Sequence, residues 1–94
     1  MSNTERKAQQ RRTRSRDDAL AYLAQRPRLA YAPATIRQRL QDDLQTDYTE
    51  EEIDDALAFL IGAGEVRLER QARHGVTRYY QATAEGILAY ERSI

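Results

Sequence analysis

The sequence predicts a mainly helical α+β domain made of three helices, a β hairpin and a short closing helix. Three observations carry this expectation. Thr49 and Glu52 form a T-x-x-E capping box directly before an apolar stripe at helical spacing. At Val66 the apolar period changes from that of a helix to strict alternation. Turn-forming residues punctuate the chain at Arg26-Pro27, Thr46-Asp47, Gly62-Ala63-Gly64 and His74-Gly75. A chain of 94 residues, 40% hydrophobic and 32% charged, can build one core and must expose much of its surface.

Residues 1–14 have no apolar periodicity and are expected to form a mobile basic arm, with helix as an alternative at its end, and the folded domain is expected to span 15–94. Ser15 is expected to cap the first helix, with Asp18 as its reciprocal partner. Ala19, Leu20, Leu23 and Ala24 supply the apolar face, and Arg26-Pro27 ends the helix because proline disfavours helical geometry in the residue before it. In Arg28–Ala32, Leu29 and Tyr31 alternate with Arg28 and Ala30. This reads as a brief edge strand that would add a third strand to the hairpin. Pro33 suits the first turn of a second helix, whose apolar residues Ile36, Leu40 and Leu44 recur one turn apart.

The third helix is expected over residues 50–63, with Ile53, Ala56, Leu57, Leu60 and Ile61 as its buried stripe and Gly64 as its left-handed cap. Val66 and Leu68 open a hairpin near residues 66–82 whose tip is His74-Gly75 and whose returning strand contains Tyr79-Tyr80. Thr83 caps a last helix bearing Ile87, Leu88 and Tyr90. The predicted core is Leu20, Leu23, Ile36, Leu40, Ile53, Leu57, Leu60, Val66, Leu68 and Ile87.

Three helices followed by a hairpin is the winged-helix order, a helix-turn-helix extended by a β wing. Leu60-Ile-Gly-Ala-Gly-Glu-Val66 followed by Arg78-Tyr-Tyr-Gln-Ala-Thr-Ala-Glu-Gly86 resembles the wing of PadR-type and MarR-type regulators. Those proteins show an L-x-x-x-G run leading into Leu or Val, and PadR-type members continue into [RK]-Y-Y-x-L-T-x-x-G. Leu60, Gly64, Val66, Arg78, Tyr79, Tyr80, Thr83 and Gly86 match, and Ala82 stands where leucine is usual. The resemblance implies a winged helix and a DNA-binding regulator whose third helix enters the major groove. The chain departs from it in two ways. It stops at Ile94 without the long helices that build the dimer in those families, so a monomer, or a weak homodimer through Leu88, Tyr90 and an exposed edge strand, is expected. The positions that the resemblance places in the groove are Glu50, Glu51, Glu52, Asp54 and Asp55, all acids. Duplex DNA presents about one phosphate charge per ~1.7 Å, so such a run is repelled.

Charge is strongly patterned although the net charge is zero. Residues 1–16 hold six cations against Glu5, residues 17–66 hold four arginines against eleven acids, and residues 67–94 hold five arginines against three acids. Two functions follow. The first is a DNA-associated transcriptional regulator that contacts the phosphate backbone through Arg11, Arg12, Arg14 and Arg16 of the arm and Arg67, Arg70, Arg73, His74 and Arg78 of the wing. The second is a protein-interaction module that docks a basic surface on Glu50, Glu51, Glu52, Asp54 and Asp55. Each set also has a purely structural account. Acids suit the positive end of a helix, and arginines on a hairpin deter edge pairing. A positive band running unbroken from arm to wing favours DNA, and one broken by Glu51 and Asp55 favours a protein.

Catalysis is not expected. The chain has no cysteine, so no disulfide, zinc knuckle or thiol nucleophile can form. His74 is the one histidine and has no partner for a metal site or a triad. Gly62-Ala63-Gly64 closes a helix rather than opening one, so it is no phosphate loop. No cofactor, metal or small-molecule substrate is expected. No stretch approaches the ~18 apolar residues of a membrane span, and the N-terminus lacks a signal-peptide pattern, so a cytoplasmic location is expected.

Overall fold

In the computed structural model, residues 2–71, 75 and 77–94 are described. They form four helices and a two-stranded antiparallel sheet: α1 (Asn3–Ala24), α2 (Pro33–Leu44), α3 (Glu50–Gly62), β1 (Val66–Gln71), β2 (Arg78–Ala82) and α4 (Ala84–Ser93). Arg73, His74 and most of the expected hairpin tip lie outside the described residues.

The largest departure from the sequence reading is α1, which starts at Asn3 rather than at Ser15. Ser2 is its cap. The Ser2 hydroxyl accepts from the Glu5 amide and the Glu5 carboxylate accepts from the Ser2 amide, so two otherwise orphaned donors are satisfied reciprocally. The residues read as a mobile arm are therefore helical. Ser15 is buried inside the helix, where its hydroxyl donates to the Arg12 carbonyl. Asp18 is not a capping partner. It accepts a 2.7 Å hydrogen bond from the hydroxyl of Tyr48.

α2 begins with Pro33 in its first turn and ends at Gln45, whose φ of 56° lies in the left-handed region. α3 carries the expected Thr49/Glu52 capping box. It ends in a Schellman arrangement. Gly64, at φ 76°, donates its amide to Ile61, and the Glu65 amide donates to Leu60. β1 and β2 pair from Val66↔Ala82 to Gln71↔Arg78, with an irregularity between Leu68 and Arg70. Tyr31 exchanges both backbone hydrogen bonds with Tyr80 at 2.9 Å, on the other edge of β2. The expected strand at Arg28–Ala32 is thus a single bridge.

The core comprises Leu20, Leu23, Ile36, Leu40, Ile53, Leu57, Leu60 and Val66, joined by Ala19, Tyr22, Ala24, Tyr48, Ala56 and Ala82. Leu68 is not in it. It is 47% exposed, because along the hairpin only Val66 and Ala82 are buried in the core, with Tyr80 packed against it. Ile87 is only partly buried, and Leu44 and Ile61, at the margins of their stripes, are exposed.

Gly64, Thr83 and Gly86, three of the residues that carry the regulator resemblance, meet at one junction. The Thr83 hydroxyl donates to the Gly64 carbonyl at 2.6 Å and accepts from the Gly86 amide. A Cβ on Gly86 would lie 2.0 Å from the Glu65 carbonyl oxygen, so only glycine lets α4 seat this closely on the α3–β1 turn. That part of the motif closes the fold and offers no binding surface.

Candidate functional site

α3 stands between α1 on one flank and the β hairpin on the other. Its inner face is buried through Ile53, Ala56, Leu57 and Leu60, which leaves Glu51 and Asp55 pointing outward between the two flanks.

On the α1 flank, Glu52 is engaged twice. Its carboxylate completes the cap by accepting from the Thr49 amide at 3.0 Å. It also accepts a bidentate pair of bonds from the Arg11 guanidinium. Arg11 reaches Asp47 as well, with 3.0 Å to its carboxylate, and lies over the Tyr48 ring at 5.4 Å. Arg11 holds the Glu52 carboxyl down at about 2, and the Arg11 guanidinium is raised above its ordinary value by the same partners. One turn further along, Arg16 stacks on Phe59 at 3.7 Å, and Arg12 and Arg16 line a small recess with Asp55. Burial, then the bond to Asp18, pushes the Tyr48 hydroxyl above the usual phenol range.

The wing flank differs. Glu50, Asp54, Ala58 and Ile61 share one face of α3 at spacings of four, four and three residues. They form a wall of an open groove of about 670 Å³ whose other residues are Ala32, Pro33, Ala34, Thr77, Arg78 and Tyr80. Its apolar lining includes Pro33, Ala58, Ile61 and the Tyr80 ring. One end is acidic. Among the described residues Arg78 is the one cation lining it. Partial burial, then the neighbouring charges of Glu50 and Asp55, raises the Asp54 carboxyl above its ordinary value, and Arg78 only partly counters this.

Among the described residues, the predicted arginines are engaged on separate elements. Arg11 and Arg16 are held against α3. Arg12 bonds Gln9 within α1, and Arg14 is exposed. On the hairpin, Arg67 pairs with Glu69 at 3.0 Å and bonds Gln81, while Arg70 stacks on Tyr79 at 4.5 Å. Of the acids, Glu50, Glu51, Asp54 and Asp55 are exposed, whereas Glu52 faces α1 and is corrected from a groove-facing residue to a structural one. Sequence reasoning missed Ala58, Ile61 and Tyr80 as groove residues. The spacing that sets Ala58 and Ile61 on the same face as Glu50 and Asp54 is visible in the chain, but Tyr80 joins them only through the hairpin register.

Among the described residues no group of three metal-ligating side chains converges, and no helix is long and apolar enough to cross a membrane. In comparisons with known proteins, the chain matches no family model, no curated protein and no solved structure.

Proposed function

We propose that this chain is a winged-helix module that docks a basic protein segment on the outer and wing-side faces of α3. The order of helices and hairpin, and the isolated Tyr31–Tyr80 bridge on the free edge of β2, support the winged-helix reading. One observation carries the docking reading. Glu50 and Asp54 flank an apolar groove whose described lining has a single cation, while Arg11 and Arg16 are engaged by Glu52 and Phe59. The exposed Glu51 and Asp55 lie on α3 between its α1 flank and its wing flank, which places acids between the α1 arginines and Arg78. A basic segment with an apolar residue would meet carboxylates at one end and Ile61 and Tyr80 in the apolar lining.

A fluorescent oligo-arginine peptide tests this. It should bind the intact chain and bind the Glu50→Gln/Asp54→Asn variant about three- to tenfold more weakly, as two partly exposed charge pairs of about 0.3–0.7 kcal/mol each would give. Equal binding to both proteins would remove the reading.

A second reading rests on the exposed Arg12 and Arg14 of α1 and on Arg67, Arg70 and Arg78 of the hairpin. These could hold a DNA backbone with little base readout, giving weak, sequence-independent and steeply salt-dependent binding. Changing Glu51 and Asp55 to glutamine then strengthens binding to duplex DNA, whereas in a docking module the same changes weaken the hold on a basic partner.

A further inference from the structure

We infer that the wing-side groove of α3 receives the basic N-terminal half of α1 from a second copy of this chain. The inference rests on the docking reading and names the occupant of the groove.

The first support is a helix whose N-terminal turns, beyond the Ser2/Glu5 capping box, have no buried face. α1 has 22 residues, about 33 Å of helix at 1.5 Å per residue, and its buried residues begin only at Ser15. Residues 3–10 are all exposed, and their side-chain hydrogen bonds stay within the helix. Apart from Ala8 the segment is polar on every side, and such a helix draws no stability from an apolar face. The Arg11 ion pair ties it to the domain at one point, which leaves Arg6 and Lys7 presented on a helical projection.

The second support is charge. Arg6 and Lys7 belong to the most basic block of the chain, and Glu50 and Asp54 to the most acidic. The two cannot meet within one molecule. The α1 residues Arg12, Ser15 and Arg16 line one flank of α3 with Asp55, and the groove opens on the opposite flank, so a straight helix passes it by. Between molecules the match is open, and a net charge of zero leaves no overall repulsion to oppose it. The groove also offers the Tyr80 ring, and four arginines of this chain already lie over aromatic rings. If each copy gives its helix and receives the other's, the contact forms twice around a two-fold axis. Such a dimer does not use Leu88 or β1.

Sedimentation of the full chain over a range of concentrations, at low and at high salt, tests this. The wild type should dimerise at low salt and dissociate at high salt. Glu50→Lys/Asp54→Lys repels the incoming helix, and Arg6→Glu/Lys7→Glu is repelled by the native groove, so each should be monomeric alone. Mixed in equal amounts the two are complementary at both contacts and should dimerise. Circular dichroism of each variant confirms that it is folded. A mixture that stays monomeric overturns the inference. So does a wild type that is monomeric at low salt yet binds oligo-arginine through Glu50 and Asp54, and in that case the docking reading stands. Oligo-arginine binding that ignores Glu50 and Asp54 overturns both.

Discussion

On the α1 flank of α3, Glu52 accepts hydrogen bonds from Arg11 and from the Thr49 amide, and its carboxyl is held at about 2. On the wing flank, two residues away, Asp54 has acids as neighbours and a carboxyl raised by burial and by their charge. These residues belong to one acidic run, of which Glu50, Glu51 and Glu52 lie in the first turn, at the positive end of the helix. Their surroundings separate them. Where the chain supplies its own cation, the acid has become part of the fold. Where Arg78 is the one described cation nearby, the acid is left to solvent or to a partner. A run of like charges in a sequence is therefore two features here, divided by the axis of one helix.

The largest effect expected is on the wall that both flanks share. Leu57 is 1% exposed beneath α3, and Leu57→Ala should cost ~2–5 kcal/mol in denaturant unfolding. It should also weaken oligo-arginine binding and the Arg11–Glu52 pair together, because both hang on the position of the helix. A destabilised variant that kept one flank intact would show the flanks to be independent of the core.

Thr49→Ala separates them. The lost cap should cost ~1 kcal/mol, read as a lower melting temperature. Glu52 then loses the hydroxyl side of its capping box and keeps Arg11, while Glu50 and Asp54 keep their groove. Peptide binding should stay within about twofold of the parent. A larger loss would mean that the cap, and not the charges, sets the docking face.

Much of this architecture was legible in the chain. The α3 boundaries, both of its caps, the change of period at Val66 and the Thr83 cap follow from local rules that need no tertiary information. What was missed depends on contacts between distant residues. The start of α1 was missed because Ser2 and Glu5 form an S-x-x-E box with no apolar stripe behind it, and periodicity is the signal on which a helix is read. Leu68 alternates correctly with its neighbours, yet the hairpin carries it beyond the core. Glu52 reads as one more acid until α1 brings Arg11, forty-one positions earlier, against it. The division of the acidic run into two kinds is thus a tertiary fact.

Acid sharpens the α1 flank. The folded carboxyl of Glu52 titrates at about 2, below its ordinary 4.5, so its contribution to stability is fully present above 4.5 and is lost as pH falls towards 2. Arg11→Gln removes the first cause of that depression. The variant should be less stable than the parent near neutral pH, and the gap should narrow as pH falls through this window. Melting temperatures at a series of acidic pH values check it, and a constant gap would mean that Arg11 stabilises α1 by packing on Tyr48 rather than by charge.

The smallest effect on stability is expected at Asp54, and there the comparison between flanks is most exposed to failure. Its carboxyl is raised, so the folded state disfavours the charged form, and stability gained on protonation is withheld at neutral pH. Asp54→Asn removes that charge while keeping size and hydrogen-bonding capacity. Unfolding free energy should change by no more than ~0.5 kcal/mol, in the direction of greater stability. Binding of oligo-arginine should nevertheless fall, since one of the two groove carboxylates is gone. A residue that stabilises nothing yet is needed for binding is the mark of an interaction surface. If instead Asp54→Asn lowered stability as Thr49→Ala does, Asp54 would be serving the helix end like any first-turn acid, and the two flanks of α3 would be alike after all.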